Sequence, residues 1–165
     1  MTSPLPPPFQ ALADRVVAEY RGALGDDLVA IALFGSVARG QARPDSDLDL
    51  YVVTRRPILG DPRLRAMWSR IETGPEYQAL VAAGYRPTPS AVPHTVEELR
   101  RHSWILLDIT HHGIVLYDPM SVLEQELNAM RRRMAELGSR RVELADGSWY
   151  WDIKPDWRPG EVVDL

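Results

Sequence analysis

Leu28-Val29-Ala30-Ile31-Ala32-Leu33-Phe34-Gly35-Ser36-Val37-Ala38-Arg39-Gly40 and, after a short turn, Asp45-Ser46-Asp47-Leu48-Asp49-Leu50 together decide how this chain reads. The run from Leu28 to Phe34 is apolar throughout and has the length of a strand covered on both faces. Gly35 then stands where the backbone must turn sharply out of a sheet. Without a Cβ it lets the chain approach a ligand closely. The Ser36 hydroxyl and the N–H groups of a helical turn after it direct positive charge at an anion such as a phosphate.

The second apolar run carries two carboxylates. Side chains alternate in an extended segment, so Asp47 and Asp49 share a face with Tyr51 and Val53, while Leu48, Leu50 and Val52 point into a core. Left bare at that spacing, one carboxylate is pushed toward protonation. A divalent cation removes the conflict, and oxygen-only ligands favour Mg²⁺ or Mn²⁺ with phosphate oxygens completing the shell. The chemistry this suits is in-line displacement at phosphorus. Read as turn chemistry alone, Pro44-Asp45-Ser46-Asp47 needs no ligand, because Pro fixes φ and the Asp and Ser side chains bond the local backbone. That reading leaves Asp49 and the Gly35-Ser36 pair unexplained. Arg39 reads either as a phosphate partner or as a solvated side chain.

Gly-Ser, ten intervening residues, then Asp-x-Asp at the head of a strand resembles the signature of the DNA polymerase β nucleotidyltransferase superfamily, and within it the small stand-alone, or minimal, nucleotidyltransferases. Ala38-Arg39-Gly40 after the serine and Ser46 before the first aspartate agree with it. The resemblance implies that Gly35, Ser36, Arg39 and Ser46 hold a nucleoside triphosphate and that Asp47 and Asp49 hold Mg²⁺ (or Mn²⁺). It also implies transfer of a nucleoside monophosphate, AMP from ATP in the favoured case, to a hydroxyl of a small molecule or protein. Superfamily members commonly add a third carboxylate on a later strand. Here the extended stretch Tyr85 to Pro93 contains no Asp or Glu, and its prolines suit an edge strand. Asp108, inside the apolar run Trp104 to Ile109, is the alternative helper, or else a capped or ion-paired structural group. Without a third carboxylate, a second function class stays open: a non-catalytic nucleotide-binding or antitoxin-like module that binds a toxin-like protein partner.

At 165 residues the chain fits one domain. Its 19 basic and 23 acidic side chains leave a formal charge of −4, so no broad basic surface exists for nucleic acid, and DNA polymerisation is not expected. Zero cysteines exclude disulfides, thiolate zinc sites and a cysteine nucleophile, and the start has no signal-peptide pattern. The expected setting is cytoplasmic, with no membrane span.

Residues 1–8 read as a flexible Pro-rich lead-in, and 9–165 as a single domain with a C-terminal helix and hairpin from about 119. Phe9, Leu12, Ala13, Val16, Val17, Tyr20 and Leu24 recur at helical period up to Gly25. Asp61-Pro62 opens a helix that Gly74-Pro75 breaks, and a shorter one ends near Gly84. Thr95-Val96-Glu97-Glu98 is a capping box. A further helix closes at His111-His112-Gly113, where imidazolium suits the helix end, and Ile114–Tyr117 is a short strand. Leu123, Leu127, Met130, Met134 and Leu137 form a packing stripe beside the solvated run Arg131–Arg133. Asp146-Gly147 between alternating segments signals a hairpin whose Trp149, Trp151 and Ile153 face is core, or a homodimer or partner contact. Lys154 reads as a surface lysine. The fold expected is α/β (α+β): a nucleotidyltransferase-type mixed sheet of four or five strands with packed helices, plus the C-terminal helix and hairpin.

Overall fold

The computed structural model describes residues 5–146 and 148–165. Four strands form one mixed sheet: β1 (Leu28–Leu33), β2 (Leu48–Thr54), β3 (Pro89–Thr95) and β4 (Ile114–Tyr117), in the spatial order β3-β2-β1-β4. β1 is antiparallel to both β2 and β4, whereas β2 and β3 run parallel. All six residues of β1 are buried, as a run without polar alternation requires of a strand covered on both faces.

Helices cover each face. α1 (Pro7–Leu24), α3 (Pro62–Glu72) and α4 (Pro75–Ala82) pack on the side that receives Ile31, Leu33, Leu48, Leu50 and Val52. α5 (Val96–Leu99), α6 (Ile105–His112) and α7 (Val122–Leu137) pack on the side that receives Ala30, Ala32, Tyr51 and Val53. Strand alternation thus sorts one sequence into two cores, and at the register shift between Leu28 and Ala30 the alternation breaks, with Val29 and Ala30 both in the second core. The parallel β2–β3 pair needs a crossover, which α3 and α4 supply. A four-residue helix, α2 (Gly35–Ala38), follows β1, and β5 (Arg140–Glu143) with β6 (Trp149–Asp152) form a separate antiparallel hairpin.

Local signals explain the boundaries. Asp61 caps α3 by accepting from the Arg63 N–H at 2.9 Å, with Pro62 in the first turn. Both halves of the Thr95/Glu98 capping box form on α5. β3 is an edge strand, the one place in a sheet where its prolines cost little. The α7 stripe buries Leu123, Leu127, Met130 and Met134. Trp151 and Ile153 pack against the core beneath α6 and α7.

Two segments differ from the simplest reading of the sequence. Of the lead-in 1–8, residues 1–4 lie outside the described residues, Leu5 is buried in the first core, and Pro7 and Pro8 already belong to α1. In the hairpin, Gly147 lies outside the described residues, and the flanking strands pair Arg141 with Trp151 and Glu143 with Trp149. Among the described residues no helix is long and apolar enough to cross a membrane.

Candidate active site

Gly35 leaves β1 with φ +72°, a conformation that favours glycine. A Cβ there would stand 2.9 Å from Asp49 Cγ and closer still to Oδ2. The bend is therefore packed directly on a carboxylate, and the Phe34 N–H donates to the Asp49 carbonyl at 3.0 Å, fixing the two segments side by side.

Ser36 and Ser46 join the ends of the intervening loop. The Ser36 hydroxyl donates to Ser46 Oγ at 3.1 Å, and Ser46 Oγ also accepts from the Arg43 N–H at 2.8 Å. Beyond the loop, the Leu48 N–H donates to the Thr88 carbonyl at 2.8 Å and the Arg86 N–H to the Pro44 carbonyl at 2.8 Å, tying it to the approach to β3. α2 begins at Gly35, so its first-turn N–H groups have no partner within the helix.

Burial holds the Asp49 carboxyl above the usual carboxylate range, and the neighbouring Asp47 charge adds to this. The Ser90 hydroxyl and the Arg39 guanidinium pull the other way. Asp47 is exposed, just before β2, while Asp49 is half-buried within it. Arg39 ends α2 and donates to Gln41 Oε1 at 3.3 Å. Gly35, Ser36, Arg39, Ser46, Asp47 and Asp49 are thus brought to one end of the sheet.

Ser90 is the residue that sequence reasoning passed over. It is the register partner of Asp49 on the parallel strand β3. Among the described residues no third Asp, Glu, His or Cys groups with Asp47 and Asp49. Asp108 sits half-buried on α6, where its charge acts on His111 and His112. His112 in turn feels Arg39, so the end of α6 lies near α2. These histidines are not the favoured imidazolium ions expected at a helix end: burial, with Arg141 contributing, pushes both below the usual range. Lys154 pairs with Glu161 at 2.7 Å.

One carboxylate at the head of β2 and another within it, beside a glycine bend that opens a helix, make an arrangement suited to phosphoryl transfer. Residues 16–111 match the family model for the nucleotidyltransferase domain, more than half of the chain, and the chain belongs to that family. Among solved structures it is similar to a toxin–antitoxin with AMP-PNP, at 18% identity over 76% of this chain and 92% of that one, with a TM-score of 0.48. It is also similar to a chain of the tri-AMPylated Shewanella oneidensis HEPN toxin in complex with MNT antitoxin (16% identity, 78% and 92% covered, TM-score 0.44). A third is the toxin–antitoxin MntA–HepT (19% identity, 78% and 92% covered, TM-score 0.42).

Proposed function

We propose that the protein is a cytoplasmic, Mg²⁺-dependent nucleotidyltransferase that moves a nucleoside monophosphate, AMP from ATP, to a hydroxyl of a small molecule or a protein. The observation that carries this reading is the packing of the Gly35 bend on Asp49 with Asp47 beside it. A phosphate cradle and a carboxylate pair that meet in this way are of use together and costly apart.

The donor set fits a dication. Two neighbouring carboxylates, of which Asp49 has its proton affinity raised by burial and by the Asp47 charge, with Ser90 across from it on β3, suit Mg²⁺, which takes one or two carboxylates and completes its shell with water and phosphate oxygens. Asp47 and Asp49 would hold it, and when bound it supplies charge neutralisation at the phosphates and a lowered pKa for the attacking hydroxyl. The chain's own groups do the positioning. The Gly35 backbone admits the phosphate chain closely, the Ser36 hydroxyl is available to it once released from Ser46, and Arg39 offsets its charge. The acceptor oxygen forms a bond to the α-phosphorus, the bond to the β-phosphate oxygen breaks, pyrophosphate leaves and the hydroxyl proton passes to solvent.

The test is transfer of label from ATP carrying it in the α-phosphate. We expect labelled acceptor from wild-type protein and none from Asp47→Ala or Asp49→Asn; label that goes nowhere, with wild type and Asp49→Asn binding Mg²⁺ and ATP equally weakly, would overturn the reading. Ser90 opposite Asp49 favours one second reading, a nucleotide-binding or antitoxin-like module that holds a partner protein without turnover. Co-purification with a partner that survives Asp47→Ala without ATP supports that module, whereas a partner mass gain of one AMP, abolished by the same change, supports the enzyme.

A further inference from the structure

The hairpin β5–β6 does more than cover apolar surface. It borders an open groove of about 340 Å³ beside α6 and α7, with Arg131, Arg140, Arg141, His111, Trp151 and Met134 in its wall. Among the described residues no Asp or Glu lines it, whereas carboxylates line other clefts of the molecule, at Asp26, Glu97, Glu98, Glu136 or Asp156. The arginines' carboxylate partners lie outside the wall: Asp152 at 3.1 Å from Arg140, Glu124 at 3.7 Å from Arg131, and Glu143 beside Arg141, while Arg131 also donates to the Thr110 carbonyl within it at 3.3 Å. The exposed pairs of Arg131 and Arg140 hold their cations weakly, so an incoming anion displaces or shares them at little cost.

Trp151 adds a second, independent sign. Its indole Nε1 is buried and has no hydrogen-bond partner among the described residues. A buried donor without an acceptor is costly, and because this atom is closed to solvent a ligand oxygen reaches it only if the wall shifts on binding. Its ring stands edge-on to His111, with centroids 5.4 Å apart, so the indole is held rather than loose. Arg141 is oriented too, its Nη1 donating to His112 Nε2 at 2.9 Å while its guanidinium carbon lies 5.5 Å from the Trp149 ring centroid.

We propose that this groove binds a phosphomonoester of mononucleotide size, separately from the Gly35 bend. Guanidinium forks match phosphate oxygens, the indole N–H offers a further donor, and Met134 with the Trp151 ring provides an apolar wall for a planar group. The volume lies within the range of small-molecule pockets.

The experiment follows the Trp151 indole N–H resonance, assigned by its loss in Trp151→Phe, in metal-free full-length protein titrated with 5′-AMP, inorganic phosphate or adenosine. AMP is expected to move the resonance downfield saturably, phosphate to do so more weakly, and adenosine not at all. Arg140→Gln and Arg131→Gln, both on exposed positions, should each weaken the AMP response roughly tenfold. Asp49→Asn should leave it intact, which separates this groove from the proposed metal site. Absence of any response, an equal response to adenosine, insensitivity to both arginine changes, or abolition by Asp49→Asn would each overturn the proposal, and none of these results depends on catalysis.

Discussion

Gly35 and Asp49 constrain each other. Two glycines near the site share a left-handed φ, +72° at Gly35 and +69° at Gly40, but a Cβ on Gly40 meets nothing within 4 Å while one on Gly35 runs into the Asp49 carboxylate. Gly40→Ala therefore loses only the backbone preference, about 1 kcal/mol. Gly35→Ala loses that and must also displace Asp49, so we expect about 2 kcal/mol or more by urea unfolding, with nucleotide binding lost as well. Asp49 carries the opposite sign. Its carboxyl is held above its unfolded range by burial and by Asp47, so the ionised group costs stability at neutral pH, and that cost fades as pH falls through the folded pKa toward the unfolded value. Asp49→Asn should raise the metal-free Tm. Mg²⁺ should then stabilise wild type and leave the variant unmoved in the same thermal scans.

Elements show why part of the molecule was legible in the sequence and part was not. α1, β1, α3 and α7 each carry their own signal, a 3.6-residue stripe or an unbroken apolar run, and each forms within a few residues of where that signal lies. The capping box starts α5 because Thr95 and Glu98 satisfy each other's backbone donors, a purely local matter. Thr95→Ala should cost about 1 kcal/mol, read as a lower urea midpoint with unchanged slope, since removing the cap leaves the rest of the surface exposed on unfolding unaltered. The Gly35 to Asp49 half of the site was equally local, being a strand, a bend and a second strand in succession. Ser90 was not. Its place opposite Asp49 depends on the register of a parallel edge strand reached through two helices, and alternation within Pro89–Thr95 does not fix that register. The burial of Leu5 was hidden for a related reason, because proline-rich composition signals an extended start but not whether α1 can begin as early as Pro7.

At the scale of the whole molecule, the hairpin follows directly on α7, packs Trp151 and Ile153 against the second core, and is tied by side chains to the end of α6. Chief among these are Arg141, donating to His112 Nε2 at 2.9 Å, and the edge of Trp151 on His111. Arg141 has no acceptor, so His112 must present a lone pair and be neutral. Burial, the second histidine and the guanidinium groups of Arg141 and Arg39 push His112 below the usual range, and burial with Arg141 does the same to His111. A histidine whose folded pKa is depressed binds fewer protons folded than unfolded, so its contribution to stability is complete above the unfolded pKa and is lost as pH falls through it. With an ordinary value of 6.5, that window runs downward from about pH 7. Protonated His112 can no longer accept from Arg141 and repels it instead, so acid should loosen the hairpin before it unfolds the sheet. Hydrogen exchange at pH 5.5 against pH 7.5, corrected for the intrinsic rate, should show protection falling across Arg140–Glu143 and Trp149–Asp152 while β1 stays protected. His112→Gln keeps an amide oxygen that can accept from Arg141 without a titrating group, and in that variant the loss of hairpin protection should be smaller. Equal loss in both proteins would move the acid sensitivity away from the end of α6.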